Sequence, residues 1–160
     1  MALGADRVYL ATMKPFGEEG AARVRKHRAQ RAGKGFRTIE CYGGLDAVLW
    51  HENLEGATVL LECLGNVVAN GLFSEEAATA EQMICGIDAL RKSCKHLVVV
   101  GNEVGCDGVC YDADTHTYQQ VLGAVAQDVA ACSDYVVECI AGIPTMLKGD
   151  ASMLQGMMAS

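Results

Sequence analysis

Arg23, His27 and Arg31 stand at i, i+4 and i+8, a spacing that puts all three on one face if the segment is helical. Arg28 sits beside them, and Lys34 follows in a Gly-bracketed turn. Guanidinium groups in a row offer bidentate donors that match phosphate oxygens. Cations disposed round a histidine disfavour its protonation. A neutral imidazole held among phosphate-binding arginines is a competent nucleophile toward phosphorus.

The charge distribution sharpens this reading. Seven of the thirteen Lys and Arg lie between Arg23 and Arg37, with no Asp or Glu among them. The other six cations face twenty carboxylates, a balance of −14 for the rest of the chain. Two plainer readings compete: a solvated basic helix face, and a nucleic-acid patch. The patch is short, has only Phe36 as a nearby aromatic, and is embedded in an acidic protein. A small polyphosphate is therefore the expected partner, and no nucleic acid is expected.

A second candidate is Glu62, which closes the apolar run ATVLLE. An acid ending a buried strand resembles the position that holds Mg²⁺ in nucleotide-binding sheets. His51, His96 and His116 are isolated and read as structural or surface residues. The eight cysteines show no CxxC pair and no histidine spacing for zinc. Cys63 and Cys139 read as small hydrophobes inside apolar segments. The close pair Cys106 and Cys110 lies in a Gly-rich loop, and reduced thiols of a reducing compartment are expected.

These residues need a frame. At 160 residues with 51% hydrophobic content, one domain spanning 1–160 with a real core is expected. The longest apolar runs fall far short of the roughly 20 residues that span a bilayer. The N-terminus lacks a signal-peptide layout, so no membrane span and a cytoplasmic location are expected. Four continuous apolar runs read as buried parallel strands: RVYLAT (7–12), ATVLLEC (57–63), HLVVVGN (96–102) and DYVVECIAG (134–142). Helices are expected over 18–32, over 74–93 with Ser74 as cap, and over 115–132. Strands alternating with helices give an open, mostly parallel α/β sheet with helices on both faces. In such sheets chemistry collects past the carboxyl ends of the strands, here Ala11-Thr12-Met13, Glu62-Cys63, Asn102-Glu103 and Gly142.

A phosphate-binding sheet of the P-loop NTPase type should carry a G-x-x-x-x-G-K-[ST] loop. These 160 residues contain none: Gly33-Lys34 is followed by Gly35, and Arg28 stands where the first Gly would be. The usual first strand, loop and helix would need about thirty residues. Either the natural protein starts upstream of Met1, which is the expectation, or the chain is a truncated or degenerate form. Without that first strand, neighbouring strand edges are expected to be exposed.

The segments VYLATMKPFGEEGAARVRKHRAQRAGKGFRTIECY, VLLECLGNVVANGLF, VVVGNEVGCDG and DYVVECIAGIPTMLKG occur in that order. The chain resembles the bifunctional adenosylcobinamide kinase / adenosylcobinamide-phosphate guanylyltransferase family of cobalamin biosynthesis, from about Arg7 to Gly149. The resemblance implies a RecA-like P-loop NTPase sheet whose first strand and phosphate loop are missing here. It implies that His27 attacks the α-phosphate of GTP, forming a guanylylated histidine whose guanylyl group passes to adenosylcobinamide phosphate. It further implies nucleotide contacts at Arg28, Ala29, Gln30 and Arg31, at Ala11, Thr12 and Met13, at Glu40 of the TIE motif and at Glu62. Phosphorylation of adenosylcobinamide from ATP or GTP and assembly as a homotrimer are likewise implied. A catalytically inactive subunit that binds nucleotide or corrinoid is the alternative.

Overall fold

The structure, a computed structural model, describes residues 6–105 and 108–152; Cys106 of the close cysteine pair lies outside them. The chain divides into two compact units, one up to Val125 and one from Ala126.

The first unit is built on a four-stranded parallel sheet. Its strands are β1 (Arg7–Ala11), β2 (Phe36–Glu40), β3 (Thr58–Leu61) and β4 (His96–Val99), in the spatial order β2-β1-β3-β4. The helices α1 (Gly17–Arg31), α2 (Leu45–His51), α3 (Leu64–Leu72) and α4 (Ala80–Ser93) fill the connections. The chain moves from β1 outward to β2, then crosses back to β3 and on to β4. Right-handed crossovers in opposite directions place α1 on one face of the sheet and the later helices on the other. The order reverses between β1 and β3, where ligands of open α/β sheets bind.

Alternation along β1 follows from this layering. Val8 and Leu10 are fully buried together with Val59 and Leu61 of β3, and Leu64, Val68, Ile87 and Leu90 of α3 and α4 belong to the same buried set, as do Leu45 and Val48 of α2. Tyr9 points to the opposite face, under α1, where the Arg31 guanidinium covers its ring. α1 has no buried residue, and its half-buried positions are Gly20, Ala21, Val24, His27 and Arg31. Glu18 and Glu19 lie in its first turn, Arg28 and Arg31 in its last, each at the end the helix dipole favours. Gly33 and Gly35, with φ of 78° and 73°, adopt the left-handed backbone that turns the chain from α1 into β2.

Several expectations are corrected. β3 is paired on both edges, by β1 and by β4, so no gap opens in the sheet; the open edges are those of β2 and β4. The helix expected from Ser74 begins at Ala80. Thr79 caps it through a reciprocal box with Gln82, whereas the Ser74 hydroxyl is turned back onto the Gly71 and Glu76 carbonyls.

In the second unit the run DYVVECIAG is not a buried parallel strand. Its core, β5 (Val136–Ile140), pairs antiparallel with β6 (Ile143–Lys148). Ala141 and Gly142 both have positive φ, 51° and 80°, the two-residue turn that closes a tight hairpin. Cys139 is consequently exposed rather than buried. α5 (Ala113–Cys132) starts in the first unit and ends in the second. The Lys148 ammonium donates to the carbonyls of Ala130 and Ala131 at its last turn, at 3.1 and 2.8 Å. Among the described residues no helix is long and apolar enough to cross a membrane.

Candidate functional site

Parallel register sets the site. Ala11 at the end of β1 is level with Glu40 at the end of β2, and Leu10 with Leu61, one residue before Glu62. Two carboxylates thus flank the segment Ala11-Thr12-Met13 at the carboxyl edge, and α1 passes overhead.

Glu62 is tied to that segment. Its Oε1 accepts the backbone N–H of Thr12 at 3.2 Å and of Met13 at 3.1 Å, and its Oε2 accepts the Tyr9 hydroxyl. The Tyr9 phenol is pushed up to about 12, first by burial and then by the hydrogen bond and negative charge of Glu62; Arg31 pulls the other way. Thr12 is buried, its hydroxyl donating to the Cys63 carbonyl at 3.2 Å and its carbonyl accepting from Asn70 Nδ2 at 2.8 Å. Thr12 therefore serves the site as backbone, not as a side chain in the groove.

Ala11, Met13, His27, Arg28, Arg31, Glu40 and Glu62 line one narrow groove between α1 and the strand ends. Val24 and Tyr42 complete it. Its free space is about 10 Å³, far below the size of a nucleotide. An open cleft of about 460 Å³ shares Arg28 and Arg31 with it and continues past Gly33, Gly35, Phe36 and Thr38. That volume is in the range of small-molecule sites, so a ligand seated in the cleft would meet the two arginines before it met His27.

The arginines of α1 differ in their commitments. Arg23 is exposed and pairs with Glu19 at 3.3 Å; it does not line the groove. Arg28 is paired with Glu40. Among the described residues Arg31 makes no ion pair; its guanidinium carbon lies 3.7 Å from the Tyr9 ring centre, and its Nε is buried with no hydrogen-bond partner among them. Ala29 and Gln30 are exposed on the outer side of the helix, away from the groove-lining residues. Tyr9, Val24, Tyr42 and Phe36 also belong to the groove, its floor or the cleft, and no spacing in the sequence marks them as site residues.

Magnesium accompanies nucleoside triphosphates in sheets of this kind, and Glu62 was the carboxylate expected to hold it. Both lone pairs of its Oε1 are taken by amides and one of Oε2 by Tyr9. Glu40, the neighbouring carboxylate, is engaged by Arg28. No group of three or more His, Cys, Asp or Glu among the described residues is placed to hold a metal. Glu62 does not fit as a direct Mg²⁺ ligand; it clamps the strand end instead.

The model of the family described as cobinamide kinase / cobinamide phosphate guanyltransferase (CobU) matches residues 1–147. The chain belongs to this family. Among its relatives is the bifunctional adenosylcobalamin biosynthesis protein CobU of Salmonella typhimurium, 28% identical over 155 residues, covering 88% of this chain and 85% of the relative. The protein of the same name from Escherichia coli is 29% identical over 160 residues, with the same two coverages. The bifunctional adenosylcobalamin biosynthesis protein CobP of Pseudomonas aeruginosa is 27% identical over 143 residues, covering 89% and 82%. For this cobinamide kinase / guanyltransferase family, a parallel sheet with a groove at its reversal point is the expected frame for nucleotide chemistry.

Proposed function

We propose that this chain transfers a guanylyl group from GTP to adenosylcobinamide phosphate through a covalent intermediate on His27. The observation that carries the reading is the pairing, one helical turn apart on the groove side of α1, of an imidazole with an arginine that no carboxylate among the described residues pairs with. An imidazole nitrogen of His27 forms a P–N bond to the α-phosphorus as the bond to the bridging β-oxygen breaks, and pyrophosphate leaves with that electron pair. A phosphate oxygen of adenosylcobinamide phosphate then attacks the same phosphorus, and the P–N electron pair returns to the ring. Arg31, with its planar fork of donors, offsets charge on the phosphates.

Phosphorylation of adenosylcobinamide from ATP or GTP calls for a G-x-x-x-x-G-K-[ST] loop, which these 160 residues do not contain; the groove residues support the guanylyl step. Homotrimer assembly belongs to the same reading. Exposed Ile140, Ile143 and Leu147 on the β5–β6 hairpin support a contact between copies.

The test is to incubate the protein with GTP labelled in the α-phosphate and record its intact mass. A single added GMP that is acid-labile and disappears in His27→Ala is expected. Nucleotide binding with no adduct would return the chain to the role of a binding subunit.

A further inference from the structure

What aims Arg31? Arg23 and Arg28, on the same helix, are each held by a carboxylate. Arg31 is held by a ring, with 3.7 Å between its guanidinium carbon and the Tyr9 centroid. The ring is itself fixed on two sides. Its hydroxyl donates to Glu62 Oε2, and Phe36 meets it edge-on, with centroids 6.1 Å apart and planes at 83°.

The two kinds of support have opposite consequences for an anion site. A carboxylate orients a guanidinium but cancels its charge and occupies its donors. An aromatic face attracts the cation through its quadrupole without setting a carboxylate against its donors. The Arg31 Nε, buried with no hydrogen-bond partner among the described residues, is a donor short of an acceptor, a costly state that a phosphate oxygen would relieve. Arg31 also borders both the narrow groove with His27 and the larger cleft, so its orientation governs how a phosphate chain passes from one to the other.

We propose that Tyr9 is a positioning residue for Arg31: its ring, locked by Glu62 and Phe36, holds the guanidinium flat and unneutralised so that it presents its donors to the phosphate chain of a nucleoside triphosphate. This rests on the reading of the groove as a nucleotide site and deepens it. The ring supplies the effect, and the hydroxyl supplies the lock.

The experiment is a double-mutant cycle on the full chain. Calorimetry measures binding of inorganic tripolyphosphate and of GTP to wild type, Tyr9→Leu, Arg31→Ala and the double variant. Tyr9→Leu is expected to weaken tripolyphosphate binding about tenfold, and to add almost nothing once Arg31 is Ala. Tyr9→Phe, which keeps the ring, should recover most of what Tyr9→Leu loses. A purely structural role for Tyr9 would give the same loss in both Arg31 backgrounds, and that result overturns the proposal. So would a wild type that does not bind tripolyphosphate. If Tyr9→Leu does not fold, Tyr9→Thr, suited to a strand position, takes its place in the cycle. The GMP adduct is scored separately on the same samples. Coupling between Tyr9 and Arg31 without an adduct would uphold the positioning role while removing His27 guanylylation.

Discussion

The Tyr9 hydroxyl donates to Glu62 Oε2 across the junction of β1 and β3. The bond joins two strands where the sheet order reverses, and it ties the ring under Arg31 to the carboxylate that holds the Thr12 and Met13 amides. The floor of the groove is therefore one connected polar unit, and its members should respond together.

Alkali is the first probe of that unit. The Tyr9 phenol is pushed up to about 12, by burial and by Glu62, whereas an unfolded tyrosine ionises near 10. The folded state keeps a proton there that the unfolded state releases, so the stabilisation is fully present below pH 10. It is lost as pH rises from about 10 to about 12. Ultraviolet titration of tyrosinate should show a late-ionising residue in wild type that is missing in Tyr9→Phe. Unfolding midpoints measured across the same range should fall less steeply in the variant. Equal slopes would mean that the Tyr9–Glu62 bond does not form in solution.

Sequence and structure agree best where residues are buried on both sides. β3, between two strands, is buried along nearly its whole length and is found where its continuous apolar run places it. β1 and β4 are also found where their runs place them, but β1 buries alternate residues and β4, at an open edge, has none buried and leaves Val98 exposed. β2 escaped because FRTIE is an edge strand with Arg37, Thr38 and Glu40 exposed, and so it reads as an extension of the basic segment. β5 misled for the opposite reason: an apolar run there serves an exposed hairpin. In the groove, His27 and Arg31 were legible from helical spacing. Tyr9 was not, because a continuous strand pattern does not reveal which face a residue takes until the neighbouring register is known. Glu62 was legible as a strand-end acid, but its partners Thr12, Met13 and Tyr9 come from another strand and its loop.

α4 gives a prediction free of the groove. Thr79 N donates to Gln82 Oε1 at 2.8 Å, and Gln82 N to Thr79 Oγ1 at 3.3 Å, so two otherwise orphaned helix-end donors are satisfied. Thr79→Ala should cost about 1 kcal/mol, read as a lower urea midpoint with unchanged slope. Thr79→Ser keeps the oxygen and should retain most of that. Nucleotide binding should not respond, since the cap lies outside the residues lining the groove. A loss of binding in Thr79→Ala at full folding would show that α4 reports to the site.

Glu62 decides between a clamp and a metal ligand. As a clamp it accepts two backbone amides and a phenol, and hydrogen bonds to a charged group are worth about 1.5–3 kcal/mol each. These are only partly buried, so Glu62→Ala should destabilise by about 2–3 kcal/mol in total. Glu62→Gln keeps one carbonyl oxygen for the amides and should cost about half as much. A magnesium ligand behaves differently. Its amide variant would fold with nearly full stability while nucleotide binding lost its dependence on Mg²⁺. Measuring GTP affinity with and without Mg²⁺ in wild type and Glu62→Gln separates the two. The clamp requires the same Mg²⁺ response in both proteins alongside a lowered unfolding midpoint in the variant. An abolished Mg²⁺ response at unchanged stability would restore the metal to Glu62 and require its bonds to Thr12 and Met13 to open when nucleotide arrives.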